Sequence, residues 1–177
     1  MEPAHEEQLR QDFAVLRRAA AELAQRKREA QTAALHDLAH VGEKSSFEVV
    51  SRSLEDPSAA VRQAAVRALY QINPEVAASF FNSALREGSA ERRRVIGAAL
   101  AGSDLATEAI YNLNSEDSRT TYRAFSLLFL LAKAGEAQPL MRVIEHHPNI
   151  TLRLAMIALL ASSGETAVLP GFHQLVT

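Results

Sequence analysis

Residues 55–69 read EDPSAAVRQAAVRAL, and this stretch decides the fold. Residues 116–130 read EDSRTTYRAFSLLFL and place an acidic pair and an arginine in the same register. Weaker copies stand at residues 89–100 (SAERRRVIGAAL) and 147–160 (HPNITLRLAMIALL). The matched arginines, separated by 31, 30 and 30 residues, are Arg62, Arg93, Arg123 and Arg153. A constant period over four copies predicts a repeat architecture.

The apolar residues inside the period follow helical spacing. Val61, Ala65, Ala68 and Ile72 are separated by four, three and four residues, which places them on one face of a helix. No segment alternates apolar and polar residues for long enough to predict a strand. One pair of helices cannot bury such a stripe alone, whereas stacked pairs bury it continuously, as in a solenoid. The expected fold class is therefore all-α.

Proline and glycine mark the predicted helix ends. Asp56-Pro57, Asn73-Pro74 and His147-Pro148 each place a proline where a helix begins. Glycines stand where helical patterns stop, at Gly42, Gly88, Gly102, Gly135 and Gly164. The predicted helices lie near 5–41, 44–54, 57–72, 74–87, 89–101, 104–114, 118–133, 136–146, 148–162 and 165–176.

The pattern D-P-x-x-x-V-R-x-x-A-x-x-A-L at residues 56–69 resembles the second helix of a HEAT repeat. The short period is similar to that of the HEAT-like repeats in phycobilin lyases, and the resemblance covers residues 45–177. It implies a right-handed α-solenoid of about four helix pairs, whose second helices line a concave face. The copy at residues 89–100 departs most, because Arg92 replaces the apolar residue before the matched arginine.

In HEAT-like families, the repeated aspartates and arginines usually bond within and between repeats. The resemblance therefore implies that the arginines hold turn carbonyls and acidic residues of the stack. An anion-binding ladder of the four arginines is the alternative. The positions with this structural role are Asp56, Arg62, Arg93, Asp117, Arg123 and Arg153.

Residues 1–44 do not fit the repeat and predict one long amphipathic helix ahead of a repeat solenoid at 45–177. This helix has three competing roles: it caps the first repeat, it pairs with a second copy, or it connects to an upstream domain. Its apolar residues follow the four-three spacing of a coiled-coil seam. They are Leu9, Phe13, Leu16, Ala20 and Leu23.

The composition narrows the function classes. The 177 residues include 19 Lys and Arg against 21 Asp and Glu, and neither Cys nor Trp. The absence of cysteine excludes disulfides and thiolate metal sites, and the near-neutral charge disfavours nucleic acid as a partner. The longest apolar run, residues 124–132, falls short of the ~20 residues that a membrane-spanning helix needs. The compartment stays open: the cytoplasm is slightly favoured, and the periplasm fits as well.

No residue pattern predicts catalysis. His36 and His40 have the i, i+4 spacing of a zinc pair, but Asp37 stands where that motif has Glu, and no clear third ligand follows. Neither a glycine-rich phosphate loop nor a G-x-S-x-G turn is present. We predict no catalytic residue, no metal site and no cofactor.

The predicted function is a protein–protein interaction scaffold that binds a partner, such as an amphipathic helix, on its concave face. The apolar positions of the third pair either contribute to that groove or are covered by the chain itself. The candidate binding residues are Gln63, Arg67, Tyr70, Arg94, Leu127 and Leu131.

Two other classes of function stay open. One is an enzyme or enzyme accessory that resembles the phycobilin lyases or the HEAT-like DNA glycosylases. The glycosylase reading is disfavoured because those enzymes use a basic face with aromatic residues, tryptophan among them. The other is a structural subunit whose copies assemble through the N-terminal helix as a homo-oligomer.

Overall fold

A computed structural model describes residues 3–42 and 44–163, and every regular element within them is helical. The all-α class is confirmed, while the predicted final helix near 165–176 lies outside the described residues. A short 3-10 turn, Ser53–Glu55, follows the second helix. The helices are α1 (Pro3–Val41), α2 (Lys44–Arg52), α3 (Ala59–Ile72), α4 (Pro74–Glu87), α5 (Ala90–Gly102), α6 (Leu105–Asn112), α7 (Ser118–Lys133), α8 (Gln138–His146) and α9 (Ile150–Ser162).

Of the three predicted proline starts, only Asn73-Pro74 begins a helix. The Asn73 side chain accepts a hydrogen bond from the backbone N–H of Val76 at 3.1 Å and caps α4. After Asp56-Pro57, α3 begins two residues later, because the Asp56 carboxylate accepts the N–H of Ser58 at 2.8 Å and closes a turn. After His147-Pro148, α9 likewise begins two residues later than expected. A local hydrogen bond thus overrides the proline signal.

The glycines at the predicted helix ends also differ from one another, some having the expected left-handed conformation and others not. Gly42 and Gly135 have φ angles of +67° and +83°, the left-handed region that glycine enters without a Cβ clash. Gly88 and Gly102 do not adopt this geometry. Gly102 is required for a different reason: the side chain of Gln63 packs where a Cβ atom would stand. This close approach joins α5 to α3.

One apolar core runs along the whole stack, as a solenoid requires. It receives buried side chains from every helix, α1 included. The largest fully buried side chains are Phe81, Leu69, Leu85, Leu100, Leu128, Leu130, Leu131, Leu140, Met141, Met156, Leu160 and Val50.

Only the last part of α1 belongs to this core. Leu35 and Ala39 are buried against the body, and α1 packs extensively on α3. The side-chain amide of Gln31 donates to a carboxylate oxygen of Asp56 at 3.0 Å, which ties α1 to the turn before α3. The end of α1 thus covers the first repeat, and the domain boundary at residue 44 stays a prediction.

Helices α4 and α7 lie side by side and run in the same direction. Glu75 at the start of α4 bonds to Arg119 and Arg123 at the start of α7. Further along both helices, Lys133 Nζ donates to Asn82 Oδ1 at 2.8 Å. In strict alternation, the first helix of one pair and the second helix of the next would run in opposite directions. The stack therefore departs from regular alternation around α5, whose repeat copy also departs most from the sequence pattern.

The open apolar face expected on α7 is covered by the chain itself. Leu131 is fully buried and Leu127 is 5% exposed. The reason is that α4, α5, α6, α8 and α9 all pack against α7. The expectation that Leu131 lies on an open binding face is therefore wrong, and Leu127 is nearly as enclosed.

Leu131→Ala is expected to lower the free energy of unfolding by about 2–5 kcal/mol, because it leaves a cavity among packed side chains. Leu154→Ala on α9 is the matched control, since Leu154 is 60% exposed. Its effect should stay within about 0.5 kcal/mol. Urea unfolding followed by circular dichroism measures both values, and equal losses in the two variants would contradict this account of α7.

Candidate functional site

Two adjoining cavities form one groove, which we call the central groove. The first, of about 440 Å³, lies between the end of α3, helix α6 and the start of α7. The second, of about 370 Å³, lies between α4 and α7. Both are lined by Tyr70, Pro74 and Arg123, which therefore stand at their junction. The parallel packing of α4 on α7 creates this junction.

Tyr70 is held at the junction by aromatic packing. Its ring stacks on Phe81 with 5.8 Å between centroids and 9° between planes. The hydroxyl oxygen is buried and has no hydrogen-bond partner within the described residues. Burial raises the pKa of Tyr70 well above its ordinary value, because the phenolate would lose its hydration. The group therefore stays a protonated donor at physiological pH.

Arg123 shares one carboxylate with a second arginine. Its Nη2 lies 3.1 Å from Glu75 Oε1, and Arg119 donates to the same oxygen through Nε at 3.1 Å and through Nη2 at 2.5 Å. The hydrogen bonds from Arg119 and Arg123 hold the pKa of Glu75 below its ordinary value of 4.5. Arg123 Nε is buried and unpaired among the described residues. Arg119 also lies next to the carboxylate of Asp117, so the two guanidinium groups are balanced by two carboxylates.

The other repeat arginines differ in what they bind. Arg62 Nη1 donates to the carbonyls of Asp56 and Pro57 at 2.7 and 2.9 Å. Arg153 Nε donates to the carbonyl of Ile144 at 2.6 Å. The side chain of Arg93 is half-buried and makes no hydrogen bond or ion pair within the described residues. The four arginines therefore do not form one continuous ladder.

Within the described residues, the carboxylates of Asp56 and Asp117 accept backbone N–H groups and pair with none of the repeat arginines. Asp117 caps α7, where its carboxylate accepts the N–H groups of Arg119 and Thr120 at 3.2 and 3.0 Å. The Thr120 hydroxyl donates to it as well, and these bonds lower the pKa of Asp117. The guanidinium of Arg123 contacts Glu75 of α4, an acidic residue on a neighbouring helix.

The structure brings together only some of the predicted binding residues. Arg67, Tyr70 and Leu127 line the first cavity of the central groove. Arg67 is also ion-paired with Asp104 before α6. Gln63 instead covers Gly102, and Arg94 pairs with Glu91 at 3.0 Å on the exposed start of α5. These last two residues do not line the groove.

Sequence reasoning missed Tyr122, which lines the second cavity and is 72% exposed. The alignment of the repeats could have drawn attention to this position. Tyr122 stands directly before Arg123, where Val61 stands before Arg62. Val61 is only 1% exposed, so the same repeat position faces the core in α3 and the groove in α7.

A comparison with protein families matches residues 3–101 of the chain to the family described as HEAT repeats. The chain belongs to the HEAT-repeat family. The match includes α1, so it extends further towards the N-terminus than the resemblance seen in residues 45–177. No curated protein and no solved structure is significantly similar to the chain. The finer likeness to phycobilin lyases stays a prediction.

The described part of this HEAT-repeat chain carries no group of three His, Cys, Asp or Glu side chains arranged to hold a metal ion. His36 and His40 are both exposed, with 4.5 Å between their ring centroids. None of the described helices is long and apolar enough to cross a membrane.

Glu75→Gln is expected to lower stability at neutral pH and to have a smaller effect in acid. Because the folded-state pKa of Glu75 is depressed, its carboxylate contributes stability above pH 4.5 and loses it as the pH falls through the folded pKa. Urea unfolding at pH 7 and pH 3 measures the difference between the two proteins. Glu108→Gln is the control, since Glu108 is exposed and has no ion pair within the described residues. An equal loss at both pH values would show that the charge of Glu75 is not the cause.

Proposed function

We propose that the central groove binds a segment of a partner protein and that the chain acts as a non-catalytic interaction scaffold. HEAT repeats commonly mediate contacts between proteins. The observation that carries the proposal is the pair of buried donors Tyr70 O–H and Arg123 Nε–H at the junction of the two cavities, neither of which has a partner among the described residues. Arg62 Nε is likewise unpaired there, but Arg62 lines neither cavity.

Unsatisfied buried donors favour a ligand that supplies oxygen acceptors. A buried polar group without a partner costs about 1–3 kcal/mol, which a bound acceptor recovers in part. Peptide carbonyls and side-chain carboxylates are such acceptors. The charged side chains that line the two cavities are balanced, Arg67 and Arg123 against Glu75 and Glu108, so the choice of segment depends on its acceptors and not on its net charge.

The remaining walls favour apolar side chains. Phe129 and Leu130 line the second cavity, and Leu105 and Ala109 line the first. Each cavity falls within the ~300–1,000 Å³ range of pockets that enclose small ligands. Tyr122 stands exposed at the edge, and a tyrosine in this position adds contact area with little loss of side-chain entropy. The segment that fits is a peptide with apolar side chains and oxygen acceptors.

The exposed tyrosines offer a matched test with a phage-displayed library of random peptides. Peptides selected on the unmodified chain should lose about tenfold or more in affinity for Tyr122→Ala, because an aromatic contact at the groove is removed. They should bind Tyr111→Ala unchanged, since Tyr111 is 84% exposed but lies outside both cavities of the groove.

Circular dichroism checks that both variants fold. The proposal is overturned if no peptide is selected, if both variants bind as the unmodified chain does, or if the selected peptides shift NMR signals of α1 and leave those of the groove unchanged.

The variant Tyr70→Phe distinguishes an effect on the free energy of unfolding from an effect on peptide affinity. Removing a buried hydroxyl that has no partner should leave the free energy of unfolding unchanged or raise it by up to about 1 kcal/mol. Affinity for the selected peptides should fall, because the oxygen acceptor of the peptide loses the Tyr70 O–H that donates to it. Isothermal titration and urea unfolding measure the two effects. A variant that binds equally well would remove Tyr70 O–H from the proposed contact.

A further inference from the structure

Helix α7 presents two aromatic rings in a row along the second cavity of the central groove. Tyr122 and Phe129 both line this cavity and are seven residues apart, with Ser126 between them. Residues at this separation lie on one face of a helix, and a rise of about 1.5 Å per residue places them about 10 Å apart along its axis. Tyr122 is 72% exposed and Phe129 is half-buried. The row therefore offers two apolar contact points to a segment that lies along α7.

Contacts with neighbouring side chains hold the walls of this cavity in place. Lys133 Nζ lies 5.8 Å from the centroid of the Phe129 ring and donates to Asn82 Oδ1 on α4 at 2.8 Å. The ring of Tyr70 stacks on Phe81. The rings and the amide are thus positioned before a segment binds, which lowers the entropy cost of binding.

The hydrogen-bonding groups beside the row are mainly donors. Tyr70 O–H and Arg123 Nε are buried and have no partner among the described residues. Asn82 Oδ1 already accepts from Lys133, so the side chain of Asn82 offers its N–H groups to the cavity. The carboxylate of Glu75 accepts from Arg123 and a second arginine of α7, and the serine hydroxyls of the cavity can donate. A segment with carbonyl oxygens and few N–H groups of its own satisfies such donors best.

Three backbone conformations differ in how they match the row and the donors. The carbonyl oxygens of an α-helix bond within the helix, so a bound helix leaves the donors of the groove without acceptors. Side chains on one face of a β-strand repeat every ~6.6 Å, which does not fit rings about 10 Å apart. A polyproline II helix repeats every three residues, or about 9 Å, and its carbonyls have no internal hydrogen bonds. Of the three, this conformation alone matches both features.

Proline itself adds two properties that fit the groove. It has no backbone N–H, so a proline-rich segment offers carbonyl acceptors and few competing donors. Its ring also fixes the backbone in an extended conformation before binding, and such segments dock in grooves lined by aromatic side chains. Both properties favour proline over other apolar residues at the two contact points.

We propose that the segment bound in the central groove is proline-rich and lies along α7 as a polyproline II helix. Prolines three residues apart contact Tyr122 and Phe129, and the carbonyl oxygens near them accept hydrogen bonds from the donors of the groove. This inference rests on the proposed function of the groove as a peptide-binding site, and it specifies the class of segment.

The random peptide library selected on the full chain tests this class directly. Most of the selected sequences should contain two prolines three residues apart. Replacement of either proline by alanine should lower affinity about tenfold or more by isothermal titration, because the contact with one ring is lost. Insertion of one alanine between the two prolines should have a similar effect, since it changes their spacing along the row.

Phe129→Leu and Phe125→Leu form a matched pair of variants. Both side chains are half-buried on α7, but Phe125 lies outside both cavities of the groove. Phe129→Leu should lower affinity for the selected peptides about tenfold, because leucine removes the flat ring. Phe125→Leu should bind them as the unmodified chain does, with circular dichroism as the check that both variants fold. Equal affinities of the two variants would contradict the contact at Phe129.

The outcomes distinguish this inference from the proposed function. Peptides that depend on Tyr122 but lack the proline pair overturn the polyproline II arrangement and leave the proposed function intact. The same holds for peptides that NMR shows to be helical when bound. Selection of no peptide overturns both proposals.

Discussion

The packing of α7 against five other helices holds the middle of the stack together. Helices α4, α5, α6, α8 and α9 pack against it, and Leu128 and Leu131 are fully enclosed. In a solenoid each repeat usually contacts only its neighbours, so stability is shared along the stack. Helix α7 contacts both helices of the preceding pair, α4 and α5, so removal of side chains from this helix affects several interfaces at once. The central groove exists because of the same contact.

A few residues of the groove contribute both to the stability of the fold and to the proposed binding. Glu75 neutralises part of the charge of Arg119 and Arg123 and links the starts of α4 and α7. Beside this ion pair, Tyr70 O–H and Arg123 Nε have no hydrogen-bond partner within the described part of the chain. Buried donors that folding leaves unsatisfied lower the stability of the free protein. A partner segment with oxygen acceptors recovers part of that cost, which couples occupancy of the groove to the rigidity of the stack.

The central groove and the α1 seam are independent features at different places in the molecule. The groove is an open cleft lined by side chains from α3, α4, α6 and α7. The other is an exposed apolar stripe on a helix that projects from the body.

The sequence by itself determined the helical class, the repeat period and most helix positions, because these depend on local spacing and on caps such as Asn73. It also indicated the exposed seam at Phe13 and Leu16, because a four-three spacing is readable without a structure. The sequence could not determine which neighbours cover each face. Tyr122 and Val61 occupy the same repeat position, yet one is exposed and the other buried. Likewise, Leu131 has the helical phase of an open face but is enclosed by helices distant in sequence. Only the tertiary structure decided these outcomes, since burial depends on which helices stack together and in which direction they run.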